Sequence, residues 1–387
     1  MKKPGLLIKV LVAIVLGIVC SLFFPLWATR VFVTFNSIFS NFLGMFIPLL
    51  IVGLVAPAIA DLGKGAGKLL LATVGIAYFS TTAAGFTSYF VCRWSFPTIL
   101  GDEVSALSEL GEIEAIKPFF TIEMPPFINV TTALVLAFIL GLGCAAVKTA
   151  SLKGFLDDFR EIITLCINKV IIPCLPLFIF GIFLKIGMEG QVAAVMDTFV
   201  KIILVIIALH LGVLLLQFLI AGAVAGKNPF RSLAKMLPAY ATALGTQSSA
   251  ATIPITLRCA NTLGVRQDVA GMTIPLCATV HMPCSILKIT ACCYAISLSM
   301  GADVSLATYA GFILMLAVTM VAAPGVPGGA VMAALAVMSS MLSFSADMQA
   351  FVIAIYIALD AFGTAGNVTG DGAVTMIVDR IAGKHHE

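Results

Sequence analysis

Four polar side chains recur on one helical face near the end of the sequence, in residues 360–371, DAFGTAGNVTGD. They are Asp360, Thr364, Asn367 and Asp371, and at about 100° per residue they fall within about 60° of one another on an α-helix. The glycines between them leave space for a ligand or another helix to approach closely. Carboxylate and amide oxygens are groups that bind an ammonium or a hard cation. This face is therefore the first candidate for a binding site.

The rest of the sequence is strongly apolar. Hydrophobic residues make up 60% of the 387 residues and charged residues 11%, and the mean hydropathy is +1.11. This composition is typical of a polytopic membrane protein. Because an aspartate at the centre of a bilayer costs about 3 kcal/mol or more, Asp360 and Asp371 indicate function rather than helix packing. The net charge of +3, without a basic tract, argues against binding to nucleic acid.

Six apolar segments in the first part of the chain are each long enough to span about 30 Å of hydrocarbon. They are residues 6–27, 36–60, 69–96, 125–147, 162–186 and 197–225. We interpret the first as a retained span, because no convincing signal-peptide cleavage site follows it. Basic residues lie in alternate loops, opposite an acidic loop at 102–114. The positive-inside rule then predicts a multi-pass protein of the plasma or inner membrane with both termini in the cytoplasm.

Other classes of membrane protein find less support. The ten cysteines include no CxxC pair and mostly lie in or beside apolar segments, which predicts a packing role. The sequence has no HExxH motif and no Ser/His/Asp grouping, so we do not expect an enzyme. A repeated selectivity-filter motif, typical of a channel, is also missing from the sequence.

The segments after residue 235 are interrupted. Residues 237–259 and 307–345 are each predicted as a re-entrant hairpin with a polar or Pro/Gly-rich tip. Residues 268–300 between them are predicted as a span broken near Pro283, because proline lacks a backbone donor. Residues 348–380 form the last predicted span, which carries the polar face. Interrupted helices in corresponding positions indicate the binding site of a transporter near the bilayer midplane.

Four motifs, SSAATIPIT, PLCATVHM, GVPGGAVM and NVTGD, resemble those of the dicarboxylate/amino acid:cation symporters. This family includes glutamate transporters and neutral amino acid exchangers, and the similarity runs through nearly the whole chain. The resemblance implies an all-α polytopic membrane protein with eight transmembrane helices and two re-entrant hairpins, assembled as a homotrimer in the lipid bilayer. It also implies an elevator mechanism. A transport domain, residues 69–98 and 196–387, would move against scaffold spans in residues 1–68 and 99–195.

The resemblance assigns roles to individual positions. Asp360 would bind the ammonium group of an amino acid substrate, and Asn367 would bind its α-carboxylate with help from amides at the hairpin tips. The further substrate contacts would be Ser248, Ser249, Ser285, Val326, Gly328, Gly363 and Thr364.

Sodium is implied as the coupling ion. Asp371, Asn367 and the carbonyl of Cys277 would form one site. A second site would use carbonyls of Thr279, Met320, Val321 and Ala323. All of these are hard oxygen ligands, which suit a small cation.

The substrate side chain is expected to be neutral. Gly363 and Gln247 stand where acidic-substrate members of the family carry an arginine, and Gly363 also vacates volume for a medium or large neutral side chain. Lys288, which matches a family tyrosine, leaves a second interpretation open: a carrier of acidic amino acids or dicarboxylates with Lys288 as the cationic partner. Lys288 could also be a fixed charge in place of a bound ion, or extend to the membrane interface.

Coupling to fewer sodium ions is also predicted. Pro283 stands where a further sodium site of the family needs a carboxylate, and His281 replaces an asparagine. An imidazole titrates near neutral pH, so His281 could carry a proton; the alternative is a neutral histidine with a structural hydrogen bond. We predict a secondary active symporter or exchanger of a neutral amino acid, coupled to sodium and in part to protons. A homologue that binds without transporting is the remaining alternative.

Overall fold

The structure is a computed structural model that describes residues 6–62, 68–100, 116–128, 130–147, 150–188, 190, 192–302, 304–321, 323 and 328–383. Every regular element within those ranges is helical, which agrees with the predicted all-α class. The acidic loop at 102–114 and Val326 lie outside the described residues.

The helices of the first half are α1 (Leu6–Ser21), α2 (Leu26–Leu62), α3 (Lys68–Leu100), α4 (Val130–Val147), α5 (Ala150–Cys166), α6 (Ile172–Met188) and α7 (Val192–Ala225). A π-helical turn, Ile167–Ile171, joins α5 to α6. The second half contains α8 (Pro229–Thr246), α9 (Ser249–Thr262), α10 (Gln267–Val280), α11 (Pro283–Ser299), α12 (Leu306–Met320), α13 (Gly329–Leu342), α14 (Ala346–Ala358) and α15 (Asp360–Gly383).

Several helices could cross a membrane. Among the described residues, five are long and apolar enough, and a sixth span results if the bent pair α14–α15 counts as one. The five are Leu26–Pro57, Leu69–Leu100, Ala150–Met188, Met196–Ala225 and Gln267–Ser299. α1, α12, α13 and most of α4 are shorter apolar helices. This finding supports a multi-pass membrane protein, while the count of eight spans and the membrane depth of the hairpins stay predictions.

The helices pack mainly in two groups. α1 packs on α6, and α2 packs on α4, α5 and α6. In the other group α15 packs on α7, α8 and α10, while α11 packs on α3 and α12 packs on α13. Contacts between the groups run mainly through α13 and α14. The predicted division into scaffold and transport domains follows these groups but stays a prediction.

Local sequence explains the breaks between α8 and α9 and between α10 and α11. Asn228 caps α8 by accepting the N–H of Arg231, with proline at the first helical position. Gln247, in the left-handed region at φ 52°, ends α8, and Ser248 begins α9 by accepting the N–H of Ala251. The break near Pro283 is confirmed: α10 ends at Val280 and α11 begins at Pro283.

The structure adds a break that the sequence pattern does not indicate. α14 ends at Ala358 and α15 begins at Asp360, with an angle of 63° between them. No proline or glycine marks this position in the sequence. The break places the Asp360 carboxylate in the first turn of a helix, where the aligned amide dipoles favour a negative charge.

Three tyrosines join α3, α11 and α12. The ring of Tyr309 lies 5.4 Å from the rings of both Tyr89 and Tyr294, and its hydroxyl donates to Ser297 Oγ at 2.9 Å. Each of these rings is almost completely buried. This cluster holds α12 against α3 and α11.

We therefore expect Tyr309→Ala to lower the free energy of unfolding by about 3–5 kcal/mol through lost packing, and Tyr309→Phe by about 1 kcal/mol through the lost hydrogen bond. Thermal unfolding in detergent measures both. Phe230→Ala is the control, because Phe230 is 62% exposed. Equal shifts for Phe230→Ala and Tyr309→Ala would contradict a structural role for this cluster.

Candidate functional site

The carboxylate of Asp360 connects α15 to Gly328, the residue that directly precedes α13. Its Oδ2 accepts the backbone N–H of Gly328 at 2.8 Å. Gly328 adopts φ 75°, which glycine tolerates without strain, and it immediately precedes α13. Asp360 is only 6% exposed. The site therefore contains a buried anion at the junction of two helix starts.

Lys288 supplies the cation beside this anion. Its Nζ lies 3.6 Å from Asp360 Oδ1 and donates to the carbonyl of Leu359 at 3.3 Å. The same ammonium lies 3.7 Å from the centre of the Tyr356 ring, a cation–π distance. Lys288 is fully buried. The interpretation that Lys288 extends to the membrane interface is therefore wrong.

Gly363 makes room for that ammonium. A Cβ atom at position 363 would overlap Lys288 Nζ and lie 2.7 Å from Lys288 Cε. The expectation that Gly363 vacates volume for a larger substrate is therefore wrong, because a side chain of another helix fills the space.

Asn367 binds the beginning of α11. Its Oδ1 accepts the N–H of Cys284 at 2.8 Å, and its Nδ2 donates to Ser285 Oγ at 3.1 Å. Tyr356 also donates to Ser285 Oγ, at 3.1 Å. Asn367, Ser285 and Tyr356 thus form one polar cluster with Lys288, which rests on the Tyr356 ring.

Asp371 pairs with the histidine of the broken span. Asp371 Oδ1 and His281 Nδ1 are 2.9 Å apart, and both residues are 1% exposed. On the other side of the ring, Nε2 lies 3.0 Å from Ser80 Oγ, which accepts from Gln217 Nε2 at 2.9 Å. A cavity of about 110 Å³ between α3, α7 and α15 borders Ser80 and Gln217. Met282 N–H donates to Thr81 Oγ1, so α3 also fixes the break itself.

The residues predicted to bind sodium lie on α10, α12 and α15. Cys277 is buried, and its carbonyl accepts the N–H of His281 at 2.9 Å. Thr279 is exposed on the same helix, while Met320, Val321 and Ala323 lie at the end of α12. No cluster of three His, Cys, Asp or Glu side chains suited to a metal occurs in the described ranges. An ion at Asp371 would therefore share its carboxylate with His281 and draw further on carbonyl oxygens.

Not every predicted contact lies in this cluster. Ser248 caps its own helix and Ser249 is the first residue of that helix, in the turn of the first hairpin. Thr364 is partly exposed, whereas the other three polar residues of the striped face are buried. The structure thus brings together Asp360, Gly363, Gly328 and Lys288 in one part of the site, and Asn367 with Ser285 in another.

Sequence reasoning missed three polar residues of the site. Tyr356 contacts Lys288 and Ser285, Gln217 contacts Ser80, and His210 Nε2 lies 3.2 Å from the carbonyl of Cys284. His210 and Gln217 are seven residues apart in an apolar span, which places them on the same helical face. That spacing was the signal that could have found them.

Comparison with known proteins identifies the class. The family model "Sodium:dicarboxylate symporter family" matches residues 6–381. The serine/threonine transporter SstT of Acinetobacter baumannii (strain AYE) is 28% identical over 393 residues, which cover 97% of this chain and 97% of that protein. SstT of Streptococcus thermophilus (strain ATCC BAA-491 / LMD-9) is 26% identical over 400 residues, covering 98% and 96%.

The chain therefore belongs to the sodium:dicarboxylate symporter family, as the motifs predicted. Its class is a multi-pass membrane transporter and not an enzyme.

The contact between Gly363 and Lys288 predicts a strong coupling between two substitutions. Gly363→Ala should destabilise the protein by about 1–3 kcal/mol, because the methyl group displaces the ammonium. In the Lys288→Ala background the same methyl group has no neighbour closer than 3.6 Å, so most of that cost should disappear. Thermal unfolding of the four proteins in detergent measures the coupling.

Gly271→Ala is the matched control, since nothing lies within 4 Å of a Cβ at that helical position. It should have little effect or stabilise the helix slightly. An identical cost of Gly363→Ala with and without Lys288 would show that the two residues do not compete for this space.

Proposed function

We propose that this protein is a secondary active symporter of a neutral amino acid, driven by a sodium gradient. The observation that carries the proposal is the buried Asp360 carboxylate at the tip of the second hairpin. A buried carboxylate can bind an ammonium group, and the backbone amides of nearby helix N-termini can donate to a carboxylate within a few ångströms. Together these two features match the zwitterionic part of an amino acid.

The proposed substrate has a small side chain. Both reported relatives are named serine/threonine transporters, and serine and threonine are neutral and compact. Lys288 fills the space above Gly363, so the volume that remains favours a small side chain over a medium or large one. Amino acids with a hydroxyl side chain are therefore the first proposed substrates.

The proposed mechanism is an elevator within a homotrimer of the cell membrane, with both termini cytoplasmic. The two groups of helices support it, because the polar clusters at Asp360 and Asp371 are formed by the second group, α3, α7–α13 and α15, together with Tyr356 of α14. Movement of that group as a body would carry both clusters together. Sodium would bind at Asp371 with carbonyls of α10, and at the carbonyls that end α12.

A second candidate function rests on Lys288. Its ammonium lies over Gly363. At the position of Gly363, members of the family that transport acidic substrates carry an arginine. An acidic amino acid or dicarboxylate could use this cation for its second carboxylate. Such a substrate would have to share Lys288 with Asp360 and the Leu359 carbonyl, which already bind it.

A thermal-shift experiment distinguishes the two candidates. We expect serine or threonine to stabilise the purified protein in sodium chloride but not in choline chloride, by about 2.7 kcal/mol at a hundredfold excess over Kd. Aspartate, glutamate and succinate should give smaller shifts. Asp360→Asn should remove the effect, because the asparagine keeps the shape but not the charge that binds the ammonium.

Asp347→Asn is the control for this substitution, since Asp347 is an exposed partner of Lys185 at the start of α14. Wild-type affinity in Asp360→Asn would remove Asp360 from the site. Tighter binding of an acidic ligand than of every neutral amino acid would select the second candidate. Counterflow of radiolabelled substrate in proteoliposomes separates a transporter from a binding-only homologue, which shows saturable binding without accumulation.

Proton coupling through His281 is part of the proposal. The imidazole has hydrogen-bonding partners on both nitrogens, Asp371 and Ser80, so it can hold a proton without leaving a bare N–H group. A cavity of about 110 Å³ borders Ser80 and Gln217 beside this cluster, and the rest of its lining is mostly apolar. A histidine with only a structural role would show the same contacts. A transport measurement is therefore needed to distinguish the two roles.

In proteoliposomes at fixed membrane potential, we expect both a sodium gradient and an inward proton gradient to drive uptake. His281→Asn, which introduces the family's asparagine, should abolish the response to the proton gradient and keep the response to sodium. Uptake that requires several sodium ions and is constant from about pH 5.5 to 8 would disprove the role of the proton.

A further inference from the structure

We propose that Lys288 replaces the substrate's ammonium group as the partner of Asp360 in the empty carrier, so that the carrier returns across the membrane unloaded and performs net symport rather than obligatory exchange. This inference rests on the proposed amino acid transport at the Asp360 site.

The chain itself supplies both partners of the Asp360 carboxylate. Oδ2 accepts the Gly328 N–H at 2.8 Å, and Lys288 Nζ lies 3.6 Å from Oδ1. Lys288 is in turn held by the Leu359 carbonyl and the Tyr356 ring. Both charges of the pair therefore have their partners without any external ion.

Moving an unpaired charge through a bilayer costs free energy. A carrier whose buried aspartate depends on the substrate for its counter-charge carries an unpaired anion when empty, and that state is strongly disfavoured in a low-dielectric environment. Such a carrier crosses mainly when loaded, which produces exchange. A lysine on the same moving group removes this penalty, because the counter-charge travels with the site.

The second hairpin is bound to the same pair of charges. Gly328 at its tip is bound to the same carboxylate that Lys288 neutralises. If the tip must be closed during the crossing, the pair keeps it closed when no amino acid is present. The other buried carboxylate, Asp371, has its own partner in His281 at 2.9 Å and does not depend on Lys288.

The loaded state stays balanced as well. An amino acid brings one ammonium and one carboxylate, so its ammonium can take Asp360 while its carboxylate offsets the charge of Lys288. Gly363 is essential to this arrangement, because a side chain at that position would exclude the lysine from the carboxylate. Lys288 is therefore the residue that decides between net symport and obligatory exchange. The alternative to be tested is a structural role, in which Lys288 only binds the Leu359 carbonyl at the end of α14.

The test measures net uptake and exchange of radiolabelled serine by the full-length protein in proteoliposomes under an inward sodium gradient. Vesicles are filled either with buffer alone or with unlabelled serine. We expect the wild type to accumulate serine in both, at rates within about tenfold of each other. In Lys288→Met the ratio of net uptake to exchange should fall by at least about tenfold, because only the empty return has lost its counter-charge.

Lys185→Met is the matched control. It also removes a lysine paired with an aspartate, Asp347, but this pair is partly exposed and lies away from Asp360. Its ratio of net uptake to exchange should equal that of the wild type. A purely structural role of Lys288 would lower both rates together and leave the ratio unchanged.

The possible results decide the inference directly. A wild type that only exchanges overturns it without any variant, and so does an unchanged ratio in Lys288→Met or, if that variant does not fold, in Lys288→Gln. A wild type that moves no amino acid in either mode overturns the proposed function and this inference with it. Net uptake that Lys288 variants alone lose, with exchange still measurable, supports the inference.

Discussion

The buried pair of Lys288 and Asp360 is the interaction on which the architecture of the site depends. Two opposite charges inside a membrane protein are tolerated only when they lie close together and when their remaining hydrogen-bonding capacity is used. Here the Leu359 carbonyl, the Tyr356 ring and the Gly328 amide meet that requirement. The pair therefore connects α11, α14, α15 and the beginning of α13.

The break between α14 and α15 belongs to the same interaction. The Leu359 carbonyl lies at the 63° bend and accepts from two donors, the N–H of Gly363 at 3.0 Å and the Lys288 ammonium at 3.3 Å. The bend also puts Asp360 in the first turn of a new helix. A cation at a helix end and an anion at a helix start are each favoured by the backbone dipoles.

The two aspartates of one helical face have different partners. Asp360 meets a primary ammonium from α11, and Asp371 meets an imidazole that α3 and α7 also contact through Ser80 and Gln217. One pair lies beside the proposed substrate site and the other beside a proposed sodium site. The single helix α15 therefore contributes to both proposed sites, because each of its two carboxylates contacts a different set of helices.

The sequence by itself determined the class of the protein, the helical character, the break at Pro283 and the polar face of residues 360–371. These features follow from local rules: apolar run length, proline chemistry and helical periodicity. Only the tertiary structure decided what those residues contact. The sequence predicted open volume at Gly363 and left Lys288 unassigned, because the lysine is 75 residues away along the chain. The contacts of Tyr356, His210 and Gln217 and the bend at Leu359 were likewise decided only by the tertiary structure. Contacts between distant helices depend on how side chains fill a shared space, and no local pattern encodes that.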